Sequence, residues 1–152
     1  MSVDTTARDV IIVGAGLVGL ALAAALARAG LSVTIADRGS VATSAAPRDA
    51  DGGAWDQRVY AISPGSACFL HSIGAWQLLP VERIASIEAM DVRGDDGGRI
   101  EFSAYELGER ALAWIVENRE LNSALVQAAR GMPGVDIVAP CSPAAIAWRA
   151  GA

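Results

Sequence analysis

The sequence predicts an α/β fold: a parallel βαβ unit near the amino terminus, with a β-hairpin inserted after it. Three observations predict this. A β-branched run, Asp9 to Val13, precedes a glycine-rich turn and a Leu/Ala-rich stretch, Leu17 to Ala29. A second β-rich run, Leu31 to Ala36, follows and closes on Asp37. Further on, Ile84 to Val92 and Arg99 to Ala104 flank Gly94-Asp95-Asp96-Gly97-Gly98, the composition of a hairpin turn.

The run from Val10 to Ala27 carries no charge over 18 residues, the length of a membrane helix. Its flank argues otherwise, because Asp4, Arg8 and Asp9 are net negative. The glycines at 14, 16 and 19 also divide it into a buried strand, a turn and a helix. No transmembrane segment is expected.

The turn is Gly14-Ala15-Gly16-Leu17-Val18-Gly19, a GxGxxG, and here it has its full context. A strand precedes it, a helix follows, and Asp37 ends the next strand 18 residues after Gly19. That is the dinucleotide-binding fingerprint of a Rossmann-like unit. Gly14 permits the tight turn, Gly16 lets a pyrophosphate approach the backbone, and Gly19 lets helix and strand pack closely. The N–H groups at the helix start, Leu17 and Val18 among them, face the phosphate charge with the positive end of the helix dipole. Asp37 is placed to accept hydrogen bonds from ribose hydroxyls and disfavours a 2′-phosphate, although Arg38 stands beside it. FAD and NAD both remain open at this point.

Beyond Asp37, residues 39–55 shift to Ser, Ala, Pro, Asp and Gly, the composition of a mobile loop. Ser63 with Pro64 starts a helix that runs to Ile73 and stops at Gly74. The hairpin spans 84–104. Trp114 to Val116 is a short extended segment, and Asn118 to Arg130 an amphipathic helix with Leu121, Leu125 and Ala128 on one face. Asp136 to Val138 is a further strand and Ala144 to Trp148 another. A plain NAD domain would place its third βα unit soon after Asp37, and here a loop, a helix and a hairpin come first.

Composition sets limits. At 152 residues with 53% apolar content, the chain has the length of one domain, 1–152, and enough apolar residues for a core. Net charge is −5, which argues against a nucleic-acid partner. All twelve basic residues are Arg, so a Walker lysine and a Schiff-base lysine are excluded. Cys68 and Cys141 are 73 positions apart and His71 is the only histidine. No zinc-ligand spacing results, and both cysteines read as reduced thiols of a cytosolic protein. His71 reads as an ordinary helix histidine, because no nucleophile elbow accompanies it.

Several segments together resemble the amino-terminal part of the ubiquinone-biosynthesis aromatic hydroxylases, which are class A FAD-dependent monooxygenases. They are Asp9 to Arg38, Asp56-x-Arg58 with Ala61-Ile62-Ser63, Gly74-x-Trp76, and Val116-Glu117-Asn118 with Leu121 and Leu125. The resemblance implies an extended FAD with its adenosine end at Gly14, Gly16, Gly19 and Asp37. It implies Arg58 along the cofactor near its pyrophosphate and flavin end. Asn118, with Arg119 beside it, falls at a polar contact to FAD at a helix start. The same residues have plainer roles: Arg58 as an ion-pair partner of Asp56, and Asn118 as a helix N-cap. NAD(P)H and a prenylated phenol are the implied partners of the intact enzyme. The implied location is cytoplasmic, at the inner face of the membrane or in a multi-enzyme assembly.

The resemblance also implies that parts are missing. Family members are more than twice this length, and the family's downstream Asp-Gly segment that touches both FAD and NAD(P)H, its Gly-Asp-Ala motif and the sheet that covers the substrate are missing here. Asp37 stands where the family more usually has glutamate. The chain therefore reads as a truncated amino-terminal fragment without the substrate domain. No residue in it is assigned a catalytic role, and no hydroxylation is expected from it alone. Two rival readings are an NAD-binding Rossmann oxidoreductase domain and a non-catalytic fragment that folds with a partner chain.

Overall fold

A computed structural model describes residues 7–41 and 55–143. Residues 42–54, most of the expected loop, and the strand expected at 144–148 lie outside the described residues. The chain forms two compact units. One comprises residues 1–43 and 125–152, the other residues 44–124.

The first unit is built on three parallel strands: β1 (Val10–Val13), β2 (Val33–Ala36) and β8 (Val135–Val138). Their order is β1-β2-β8, with Val10 opposite Val33 and Val33 opposite Val135. Helix α1 (Leu17–Arg28) is the crossover between β1 and β2 and buries Leu20, Ala23 and Ala24. Small residues on that face bring the helix close to Val33 and Ile35, which are fully buried. The helix ends in a Schellman arrangement: Gly30 N–H donates to Ala27 O and Leu31 N–H to Leu26 O. The two strands expected to be adjacent and parallel are so. The third parallel strand arrives only at Val135, about a hundred residues after β2.

The second unit is antiparallel. Strands β3 (Val59–Ile62), β4 (Ile84–Ile87) and β7 (Ala113–Glu117) form a sheet in the order β3-β7-β4. Helix α2 (Pro64–Ser72) follows β3, with Ser63 Oγ accepting from Ser66 N–H at 3.3 Å as the expected cap. Two 3-10 turns, Trp76–Leu78 and Val81–Arg83, lead into β4. The hairpin pairs β5 (Ala89–Arg93) with β6 (Arg99–Ser103). The expected strand Ile84 to Val92 is thus two strands in different sheets, divided at Glu88. Periodicity missed the break because both halves are β-prone and no Gly or Pro separates them.

The short extended segment at Trp114 proves to be the central strand of its sheet, with Val116 fully buried. Helix α3 (Asn118–Arg130) follows β7 directly, at the bounds its periodicity predicts, and Leu121, Leu125 and Ala128 are all buried. No described helix is long and apolar enough to cross a membrane.

Candidate cofactor site

In the first unit, the glycine turn holds its shape for three different reasons. Gly14 sits at φ +111°, a conformation that L side chains rarely adopt. Gly19 has no room for a side chain: an added Cβ would lie 2.1 Å from Gly14 O. Gly16 is different. It has ordinary extended dihedrals (φ −77°, ψ 177°), and a Cβ there would meet no protein atom within 4 Å. Neither backbone conformation nor packing accounts for a glycine at that position. The position is the N-cap of α1, where glycine is favoured, and the open space leaves room for a ligand to approach the backbone.

The start of α1 fits an anion. Gly16 offers no side-chain cap, and the first turn carries no acidic residue. The first helical hydrogen bond runs from Leu20 N–H to Gly16 O at 3.0 Å. The amides of Leu17, Val18 and Gly19 therefore precede the helical ladder and carry the positive end of the dipole. Val18 is exposed and Leu17 half-buried.

Asp37 follows β2 and is held by the backbone. Its Oδ2 accepts from Ala15 N–H at 2.7 Å, and its Oδ1 accepts from Gly39 N–H at 2.7 Å. These two bonds, first that from Ala15 and then that from Gly39, with a smaller contribution from the Arg38 charge, hold its carboxyl below the usual value. The group stays ionised, and a carboxylate has about four acceptor sites, so its two backbone bonds leave room for further donors. Arg38 is exposed beside it.

The Asp37 main chain is also pinned, its N–H to Val138 O at 3.1 Å and its C=O to Cys141 N–H at 2.7 Å. Together Val13, Gly14, Ala36, Asp37 and Arg38 face Cys141, Ser142 and Pro143 across a cavity of about 400 Å³. No residue pattern pointed to that second wall. Its register with β2 depends on β8, which lies far along the chain.

In the second unit, the residues expected at the other end of a cofactor share one hydrogen-bond network. Asp56 does not pair with the Arg58 guanidinium. It accepts the Arg58 backbone N–H at Oδ1 (3.0 Å) and the Arg119 backbone N–H at Oδ2 (3.0 Å). The Asn118 side chain also bonds to it. The bond from Arg58 N–H, with those from Arg119 and Asn118, holds the Asp56 carboxyl below its usual value. Asn118 is the first residue of α3 rather than its cap. The first-turn amide of Arg119 is met instead by Asp56, 63 residues earlier in sequence. Asn118 N–H donates to Arg58 O at 2.9 Å, and Arg58 itself is exposed.

Beneath this network lies Glu117, with a side chain only 3% exposed. Its Oε2 accepts from Asp56 N–H at 2.6 Å and its Oε1 pairs with Arg83 at 2.9 Å. The Arg83 guanidinium also lies 4.1 Å over the Trp55 ring, a cation–π contact. Glu117 had one sequence signal: an acidic residue closing the apolar run Trp114-Ile115-Val116. His71 is exposed with its ring against Trp76, and Cys68 and Cys141 are free thiols.

Comparison with known proteins gives a consistent result. The family model for FAD dependent oxidoreductases matches residues 9–140. The chain is 35% identical over 140 residues to ubiquinone hydroxylase UbiL of Rhodospirillum rubrum, covering 91% of this chain and 30% of that protein. It is 32% identical over 134 residues to 3-demethoxyubiquinol 3-hydroxylase of Escherichia coli, covering 88% and 33%. The chain thus spans about a third of the length of these relatives. Among solved structures, p-nitrophenol 4-monooxygenase PnpA from Pseudomonas putida superposes with a TM-score of 0.59 at 21% identity, over 86% of this chain and 30% of its own. The tetrameric form of 2-methyl-3-hydroxypyridine-5-carboxylic acid oxygenase gives 0.61 at 19%, over 88% and 31%. Both share the fold. The family match runs from β1 past β8, through the antiparallel unit as well as the glycine turn, so the chain as a whole belongs to the FAD-dependent oxidoreductase family.

Proposed function

We propose that the chain is the FAD-binding part of an aromatic hydroxylase of ubiquinone biosynthesis, a monooxygenase using NAD(P)H and O2 on a prenylated phenol. The observation that carries the cofactor assignment is Gly16, the N-cap of α1, whose open surroundings leave the backbone free for a close-approaching ligand. The identity to two hydroxylases named for ubiquinone compounds, over about nine-tenths of the chain, supports the substrate class. The whole of 1–152 acts as one cofactor-binding domain in this reading. Its place is the cytoplasm or the inner face of a membrane, where a prenylated substrate resides.

Each residue has a defined task. The first-turn amides of Leu17, Val18 and Gly19 bind the pyrophosphate, which Gly14 and Gly16 allow to come close. Asp37 binds the ribose, and its carboxylate is already oriented by Ala15 and Gly39. Arg38 sits at the adenosine end, while Arg58, Asn118 and Arg119 serve the pyrophosphate–flavin end. Bound flavin supplies the redox and oxygen chemistry; the chain binds, orients and shields it.

Two experiments test the reading. Titration of the chain with FAD and NAD should show FAD binding more tightly; tighter NAD would favour an NAD-binding domain. A chimera in which these 152 residues replace the matched part of ubiquinone hydroxylase UbiL should hydroxylate a prenylated phenol, read by mass spectrometry. A chimera that binds FAD and is reduced by NAD(P)H without forming product would overturn the substrate assignment.

A further inference from the structure

We propose that Glu117 is a positioning residue for FAD, setting the places of Arg58 and Arg119 through Asp56. This rests on the reading that Arg58 and Arg119 meet the cofactor. Glu117 is 2% exposed, and with Glu120 it makes up the buried charged residues among those described. A buried ion pair is a poor source of stability, since well-packed apolar residues do as well or better. Glu117 does something an apolar residue could not: it holds a neighbouring backbone amide.

The chain of contacts is short and directed. Glu117 Oε1 is fixed by Arg83 at 2.9 Å, and Oε2 then takes the Asp56 N–H at 2.6 Å. The Arg119 guanidinium comes within 3.5 Å of the same Oε2. Asp56, so placed, holds the backbone N–H groups of both Arg58 and Arg119. Arg58 is gripped a second time, at its carbonyl, by Asn118 N–H. Strand pairing sets the register, with Val59 opposite Glu117. The backbone of Arg58 and the start of α3 therefore move as one piece, with the Glu117 carboxylate at its base. A site is only as exact as the residues that fix its contacting groups.

The experiment is a double-mutant cycle on the full chain, with FAD and ADP affinities measured by calorimetry. ADP keeps the diphosphate but lacks the flavin half of the cofactor, so it reports mainly the glycine turn and Asp37. Arg58→Ala and Glu117→Gln should each weaken FAD about tenfold, the scale of a charge-assisted hydrogen bond, and weaken ADP much less. Because Glu117 acts through Arg58, the double variant should also lose about tenfold, whereas independent effects would multiply to about a hundredfold.

Multiplicative losses, or a Glu117→Gln variant that binds FAD like the parent, would overturn the proposal. So would a parent chain that binds ADP and gains nothing from the flavin half. A parent that binds neither ligand would instead overturn the FAD reading beneath it. Should Glu117→Gln fail to fold, Arg83→Lys loosens the same carboxylate while keeping the charge. It should show the same coupling to Arg58→Ala at smaller amplitude, and additive behaviour there would equally refute the role.

Discussion

The glycine turn and the Asp56–Glu117 network both hold backbone in place, and they do it by opposite means. The turn works by leaving side chains out. Gly19 lies where a Cβ would collide with Gly14 O, and Gly16 faces open space. The network works by burying side chains, with a carboxylate 3% exposed on a guanidinium 10% exposed. Precision can come from absence or from buried charge, and the two tolerate change differently. A turn of glycines separates stability from binding, residue by residue. A buried network ties them together.

The largest expected effect falls on the network. Glu117→Leu removes the acceptor of Asp56 N–H and the carboxylate oxygen 2.9 Å from Arg83. It should destabilise the chain by about 3–5 kcal/mol, read by chemical denaturation. A loss below about 1 kcal/mol would show that the buried pair is dispensable, as well-packed apolar replacements can be. Next comes the contrast within the turn. Gly19→Ala forces a Cβ against backbone and should cost about 1–3 kcal/mol of stability. Gly16→Ala should cost no more than about 1 kcal/mol, a helix-cap effect, while weakening FAD and ADP. Equal stability losses at the two glycines would erase the distinction drawn between them.

Acid acts on both regions in the same sense. Asp37 and Asp56 have carboxyl pKa values lowered by the backbone amides they hold, from a reference of 3.8. A depressed folded value means the unfolded chain binds protons more readily. The contribution of these two groups is therefore fully present above pH 3.8 and lost as pH falls below it, through their lowered folded values. Denaturation midpoints measured down the pH scale should fall below pH 3.8. Asp37→Asn should flatten that fall in part, and an unchanged profile would contradict the backbone grip on Asp37. The smallest effect belongs to the exposed hairpin face, where Arg93 and Arg99 pair with Asp91. Arg93→Ala should change stability by no more than about 0.5 kcal/mol in a thermal melt.

The same contrast explains what could be read from the sequence. The βαβ unit was legible because its determinants are local: strand, glycine turn, helix and Asp37 fall within one short stretch, and each residue type has one physical reason. Ser63-Pro64 and the amphipathic α3 were legible for the same cause. The break at Glu88 was not, since nothing in the residue types there distinguishes one strand from two. Nor were the cap of α3 by Asp56 and the wall at Cys141 to Pro143, because their partners lie 63 and about a hundred positions away. Asn118 carries the residue type of a cap. It lost that role to an aspartate that only the pairing of β3 with β7 brings there.

One measurement decides whether the open space at Gly16 receives the pyrophosphate of the cofactor. ADP and FAD affinities of the parent and of Gly16→Val should be compared by calorimetry, with a thermal melt of each. The parent should bind both ligands, Gly16→Val should bind neither measurably, and the melts should differ by only a few degrees. A Gly16→Val chain that binds ADP and FAD as tightly as the parent would contradict that placement.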